Sequence, residues 1–210
     1  MLQIRGRSFA LYSLFLLLLL SACAQQPSTF QRNPTTVTPG PTQQPVTLAM
    51  LQQRTLHIPT LASGHGCPVA PAKQVVSSYG IAIGDGPAYA AIGLAQPSQH
   101  PILYIADAQH FMNGQSQGWG GAKVFWFIRP EYYGPLLIRG QQLDGSHQVR
   151  FNLGATSEIA LNIPQGDTQQ WYGYPSYTRL QVAGCYAYQV DGTNFSQILV
   201  FQAAVKNPVL

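Results

Sequence analysis

The stretch WYGYPSYTRLQVAGCYAYQVDGTNFSQILVFQAA, residues 171–204, decides the fold of this chain. Residues 185–190 and 195–202 are rich in aromatic and β-branched side chains, which favour strands. The turn Asp191-Gly192-Thr193-Asn194 between them contains the Asp-Gly pair that is frequent in hairpins. The pattern therefore predicts a β-hairpin that closes the domain.

The second arm of this hairpin is apolar on both faces. Phe195, Leu199 and Phe201 fall on one face, and Ile198 and Val200 fall on the other, because side chains alternate along a strand. An arm that is covered on both sides usually lies inside a sheet, so we expect neighbours on either side of it.

Short β-type runs recur before this hairpin, and no helix-length pattern stands out after Pro68. Turns rich in Gly, Pro and Asp separate the runs, which is typical of an all-β, antiparallel β-sandwich with long loops. Residues 135–143 and 148–153 flank Asp144-Gly145 and predict a second hairpin. The other runs are residues 74–83, 88–94, 102–106, 123–128, 158–163 and 177–183.

The amino-terminal segment has the order of a secretory signal, with Arg5 and Arg7 before the apolar residues 11–20. Leu20-Ser21-Ala22-Cys23 follows and resembles the lipobox of bacterial lipoproteins. That resemblance implies removal of residues 1–22, acylation of Cys23 with palmitate-type chains, and anchoring at the extracytoplasmic face of the cell membrane. An ordinary signal peptide with an incidental cysteine is the alternative.

Residues 23–47 are rich in Pro, Thr and Gln, which predicts a disordered tether, and residues 48–210 form the predicted domain. Lipidation of Cys23 leaves Cys67 and Cys185 as an even pair in an oxidising compartment, which predicts a disulfide. A metal site at Cys67 with His65 is the alternative, although two ligands are a weak signal.

Charge argues against a nucleic-acid partner. Removing residues 1–22 lowers the basic count from 11 to 9 against 7 acidic residues, a net charge of +2. The basic residues are dispersed, whereas a nucleic-acid surface needs a basic patch or stripe.

No catalytic constellation is evident, so no cofactor or metal is expected. Asp107 precedes His110 by three positions and Asp144 precedes His147 by three, a spacing that fits turns better than catalysis. The aromatic residues are the more suggestive feature, because exposed rings bind sugars or protein partners. We expect residues 171–177 to form a loop and Trp126 to lie in the core. The candidate ligand-binding residues are Trp119, Tyr132, Tyr133, Trp171, Tyr172, Tyr174 and Tyr177, with packing over the open end of the sandwich as the alternative.

Five segments of the mature chain carry a resemblance: residues 56–59, 66–69, 119–124, 134–140 and 177–192. Together they resemble a group of uncharacterised secreted or lipid-anchored bacterial proteins. The resemblance implies no activity or catalytic residue. The Gly184-Cys185-Tyr186 strand and its partner are similar to the closing strands of bacterial immunoglobulin-like domains, which implies an immunoglobulin-like sandwich.

These features favour a lipid-anchored extracytoplasmic β-sandwich that binds a glycan or an envelope protein at the cell surface. A cell-surface hydrolase with a loop-built active site is one alternative. A structural subunit of a surface assembly is the other.

Overall fold

The structure, a computed structural model, describes residues 44–62, 64–93, 98–115, 117–167 and 169–206. The signal segment, Cys23 and residues 24–43 of the predicted tether lie outside the described residues. The elements are α1 Leu48–Gln52, β1 Lys73–Val76, β2 Gly80–Ala82, β3 Ala88–Ala91, β4 Ile102–Ile105, a 3-10 turn at Phe111–Gly114, β5 Ala122–Ile128, β6 Gly134–Gln142, β7 Arg150–Phe151, β8 Ile159–Ile163, β9 Tyr172–Arg179, β10 Gly184–Asp191 and β11 Ser196–Val205.

Two sheets enclose the main core. One has five strands in the order β4-β11-β10-β6-β8, and the other has four in the order β3-β5-β9-β7. Their inward side chains form one buried apolar cluster that includes Trp126, Phe151, Tyr188 and Phe201. The predicted all-β sandwich and the predicted core position of Trp126 are therefore confirmed. One pair, β11 with β4, runs parallel, so the larger sheet is mixed rather than wholly antiparallel.

The closing hairpin forms as the sequence predicts. β10 and β11 pair antiparallel with Tyr186 opposite Phe201, and β10 lies at the centre of the larger sheet. β11 has β4 and β10 as neighbours, and its two faces contribute to different apolar clusters, Leu199 to the main core and Ile198 to the outer face. Burial on both faces thus marks an interior strand.

The predicted aromatic loop at residues 171–177 is wrong, because most of it forms β9. Pro175 lies within that strand, although proline is usually excluded from central strands. Its neighbourhood explains the exception. β5 covers one edge of β9 at Pro175, whereas β7 reaches only Thr178 and Arg179 on the other edge. Pro175 therefore occupies a stretch with an open edge, where a missing N–H is tolerated.

The second predicted hairpin forms only beside its turn, where backbone hydrogen bonds join its two arms. β6 and β7 belong to different sheets, and only a bridge between Gln141 and Gln148 joins the two segments. The connection after Gln142 carries the chain from one sheet to the other, where β7 pairs with β9. Turn chemistry alone does not reveal such a crossing.

The segment before β1 covers the outer face of the five-stranded sheet. Residues 54–62 and 64–69, here called the strap, place Ile58 and Leu61 against a buried cluster that contains Cys185 and Ala187. The predicted disulfide between Cys67 and Cys185 is present, with a Cα–Cα distance of 5.4 Å. It closes a separation of 118 residues and could stabilise the fold by roughly 4–5 kcal/mol in the chain-entropy model.

A buried ionic cluster fastens the start of the strap. Asp191 is 1% exposed, and its carboxylate accepts a hydrogen bond from Arg139 Nη2 at 2.9 Å. Arg139 Nη1 donates to the carbonyl of Arg54 at 2.8 Å, and the backbone N–H of His57 donates to Gln189 Oε1 at 2.6 Å. Arg139 thus neutralises the buried carboxylate of Asp191.

Candidate functional site

The two ends of β9 differ in how tightly the surrounding segments pack. At its start, the connections before β3, β6, β9 and β11 approach one another; we call this the open end. At its finish, Arg179 is buried among the backbone segments that surround it; we call this the closed end. An eight-residue strand separates them, roughly 23 Å at the usual rise.

A hollow of about 280 Å³ lies at the open end. We call it the arginine cleft. Its volume is near the lower limit of typical small-molecule pockets. Aromatic and charged side chains share its surface. The lining residues are Arg129, Pro130, Tyr132, Ile163, Pro164, Gly166, Asp167, Gln170, Trp171, Tyr172 and Gly173.

Arg129 is positioned by Tyr89. The guanidinium Nε donates to the Tyr89 hydroxyl at 3.0 Å, and the guanidinium carbon lies 5.7 Å from the Tyr89 ring centroid. Among the described residues, no carboxylate forms an ion pair with Arg129. One edge of the guanidinium is therefore fixed by Tyr89, and the exposed Arg129 side chain contributes to the lining of the cleft.

The aromatic wall behind Arg129 is itself held in place. Tyr89 stacks on Phe127 with ring centroids 5.4 Å apart, and Trp171 packs edge-on against Phe127 at 5.7 Å. The β1–β2 hairpin adds Tyr79, which contacts Phe127 at 5.6 Å. Such packing limits the rotamers of Trp171 and so prepares its ring for contact without further loss of entropy.

Tyr132 separates the arginine cleft from two neighbouring hollows. Its hydroxyl donates to the carbonyl of Pro135 and accepts the backbone N–H of Thr193 at 3.2 Å. Burial raises the pKa of the Tyr132 phenol, and the hydrogen bond from Thr193 partly offsets this rise. Tyr132 therefore acts as a neutral, rigid wall. The adjoining hollows measure about 380 and 510 Å³.

Charges of both signs line this region. Asp167 lines the arginine cleft, and its Oδ1 accepts the backbone N–H of Gln169 at 2.9 Å. Glu131 and Asp85 line the adjoining hollow on the other side of Arg129. Asp85 is paired with Lys73, so one positive and two negative side chains remain without an ionic partner among the described residues.

The structure brings only some of the predicted aromatic residues together. Trp171, Tyr172 and Tyr132 line the arginine cleft, and Tyr133, 57% exposed, lines an adjoining hollow. Tyr174 packs against the main core opposite Trp126. The remaining two lie elsewhere. Tyr177 packs edge-on against Phe111, and Trp119 lies at the closed end beneath Arg150.

The closed end is filled by Arg179, which is 1% exposed. Its guanidinium donates to the carbonyls of Gly120, Asn152, Leu153 and Trp119, each at 3.1 Å. The guanidinium carbon lies 4.5 Å from the centroid of the Phe111 ring. Burial lowers the pKa of Arg179. These hydrogen bonds link β9 to the segments at residues 119–120 and 152–153 and so close this end of the sandwich.

The histidines form no catalytic arrangement among the described residues. His110 Nδ1 lies 2.7 Å from Asp107 Oδ1, but the same oxygen accepts the backbone N–H groups of Gln109 and His110 at 2.9 Å, which is turn chemistry. His147 Nδ1 faces Gln181 Oε1 at 3.1 Å. In the described part of the chain, no three His, Cys, Asp or Glu side chains cluster as metal ligands.

Comparison of the chain with family models, with curated proteins and with solved structures gave no match. No helix in the described ranges is both long and apolar enough to span a bilayer.

Sequence reasoning missed Arg129, Asp167 and Tyr89 as members of the candidate site. In the sequence, Arg129 and Asp167 stand between the predicted β-type runs. Only their positions in the sequence indicate a shared site. Arg129 follows β5 directly, and Asp167 follows β8 within a few residues. That signal becomes useful only when the sheet order shows that these connections meet.

Proposed function

We propose that this chain is a lipid-anchored, extracytoplasmic binding module that recognises its ligand at the cell surface through the arginine cleft. The supporting observation is the state of Arg129. Tyr89 fixes one edge of its guanidinium, and among the described residues no carboxylate pairs with Arg129. Trp171 and Tyr132 line the same concave site. Preorganised polar and aromatic groups in a hollow are the usual features of ligand sites.

The signal segment, the Cys23 motif and the Pro-rich residues 24–47 support the location in this proposal. The Cys67–Cys185 bond agrees with it, because disulfides persist in oxidising compartments. Metabolic labelling with palmitate, followed by separation of membrane and soluble fractions, tests the anchor. We expect label and membrane retention in the native chain and loss of both in Cys23→Ala. Equal labelling of both chains would contradict the anchor.

Binding to envelope fragments tests the cleft. We expect Arg129→Gln to weaken co-sedimentation of the detergent-solubilised chain with such fragments by at least about tenfold, which corresponds to roughly 1.4 kcal/mol. Tyr104→Ala is the matched control, since Tyr104 is 50% exposed and also lies next to a cation, Lys206, but outside the cleft. Equal binding by the native chain and Arg129→Gln would show that the cleft is not the site.

A further inference from the structure

We infer that the ligand of the arginine cleft is an uncharged saccharide. This inference rests on the proposed binding function and adds the chemical class of the ligand. It follows from three properties of the cleft: the mixture of charges, the position of the aromatic rings and the continuity with the neighbouring hollows.

The mixture of charges disfavours a charged ligand of either sign. An anion would bind the terminal N–H groups of Arg129, but it would then lie among surfaces lined by Asp167 and Glu131. A cation would satisfy those carboxylates and meet the guanidinium of Arg129 instead. Like charges placed together at a binding surface act against association.

Hydroxyl groups satisfy both kinds of partner. Each hydroxyl donates one hydrogen bond and accepts others, so neighbouring hydroxyls on one ring can accept from Arg129 and donate to Asp167. Gln170 lines the same hollow and adds an amide with both a donor and an acceptor. Hydrogen bonds to charged groups are the stronger ones, so this arrangement gives orientation without requiring a net charge on the ligand.

The aromatic rings supply the apolar part of the site. Trp171 and Tyr172 are half-buried and line the cleft, and Trp171 is fixed by its edge-on contact with Phe127. A saccharide ring has one face of C–H groups and a rim of hydroxyls. That amphipathic shape matches a cleft in which aromatic surface and hydrogen-bonding groups lie side by side.

The neighbouring hollows extend the site beyond one ring. Tyr132 and Arg129 are shared by the arginine cleft and the hollow lined by Glu131 and Asn194. A third hollow shares Tyr132, Glu131 and Asn194 with the second and carries the exposed Tyr133. A short chain of linked rings fits such a series better than a single small molecule.

Defined tetrasaccharides test the inference with the full chain in detergent. Isothermal calorimetry would compare neutral tetramers of N-acetylglucosamine, glucose and mannose with anionic tetragalacturonate and a cationic glucosamine tetramer. We expect a neutral tetramer to bind, with an affinity that changes less than about twofold between low and high salt, because screening acts on charged partners. Arg129→Gln and Gln170→Ala should each weaken that binding by about fivefold or more, and Tyr104→Ala should not.

Three outcomes overturn the inference in distinguishable ways. Binding of a charged tetramer alone, with an affinity that falls steeply with salt, shows that the ligand is charged and leaves the binding function intact. Failure of every tetramer, together with Arg129-dependent binding to envelope fragments that protease treatment abolishes, shows that the ligand is a protein. Loss of Arg129-dependent binding to both tetramers and fragments rejects the proposed function together with the inference.

Discussion

The open and closed ends of the sandwich contain the same types of side chain, but these side chains have different partners. Each has an arginine beside aromatic rings, but Arg179 donates to four backbone carbonyls, whereas Arg129 makes one described hydrogen bond, to Tyr89. Residue type therefore does not distinguish a structural arginine from an available one. What distinguishes them is how many backbone acceptors the surrounding segments offer, and the order of the strands determines that number.

The two arginines should differ most when each is replaced by Met. Arg179→Met leaves one buried and three part-buried carbonyls without this donor, and we expect it to destabilise the fold by about 3 kcal/mol. Arg129→Met removes an exposed side chain, and its effect should stay within about 0.5 kcal/mol. Urea unfolding of both variants measures the difference. Equal losses would mean that the ends are not energetically distinct.

Glycines provide a second comparison of the ends. A Cβ at Gly120 would lie 2.4 Å from the carbonyl oxygen of Ala106, so Gly120→Ala forces the backbone apart. We expect a loss of about 1–3 kcal/mol, the usual cost of overpacking. Gly166 at the open end has nothing within 4 Å of that position. Gly166→Ala should be neutral or stabilise by up to about 1 kcal/mol, as judged by the thermal midpoint.

Alkaline pH should lower the free energy of unfolding through ionisation of the Tyr186 phenol. Burial, together with the charge of Asp144, raises the pKa of this phenol from 10.0 to about 12, and its hydroxyl donates to Val182 at 2.9 Å. Because the folded pKa is the higher one, this stabilisation is complete below pH 10 and is lost as pH rises toward 12. Tyr186→Phe should reduce the pH dependence of unfolding in that window by at most about 1.4 kcal/mol per pH unit.

The exposed Tyr104 is the control for that experiment. Tyr104→Phe removes a hydroxyl from a side chain that is 50% exposed, and we expect the alkaline unfolding of this variant to match that of the native chain. If the two substitutions alter the alkaline transition equally, burial of Tyr186 is not its cause.

The smallest expected effect concerns the support of Arg129. Tyr89→Phe keeps the ring that stacks on Phe127 and removes only the hydroxyl that accepts from Arg129 Nε. We expect ligand affinity to fall roughly fivefold, for a loss of about 1 kcal/mol, with the thermal midpoint little changed. A fall in stability without a fall in affinity would place Tyr89 in the framework alone.

Local sequence patterns predicted the features that depend on residues close together in the chain or on the number of cysteines. The closing hairpin followed from an alternating strand pair around Asp191-Gly192, and the disulfide followed from the parity of Cys67 and Cys185. The loop predicted at residues 171–177 is wrong because a proline is tolerated in β9, and this tolerance depends on how far β7 extends along β9. The arginine cleft could not be predicted for the same reason, since Arg129 and Asp167 meet only through the order of the strands.

The bond between Cys67 and Cys185 also determines how the molecule responds to mechanical force. A pull on the amino-terminal side would first break the contacts of Arg54, then detach the rest of the strap, and then be stopped by the disulfide at Cys67. Beyond that point tension passes directly into the central strand of the five-stranded sheet. The strands that build the cleft lie within the closed loop, so a chain held by its amino-terminal end could not be unravelled past Cys67 unless the disulfide were first reduced.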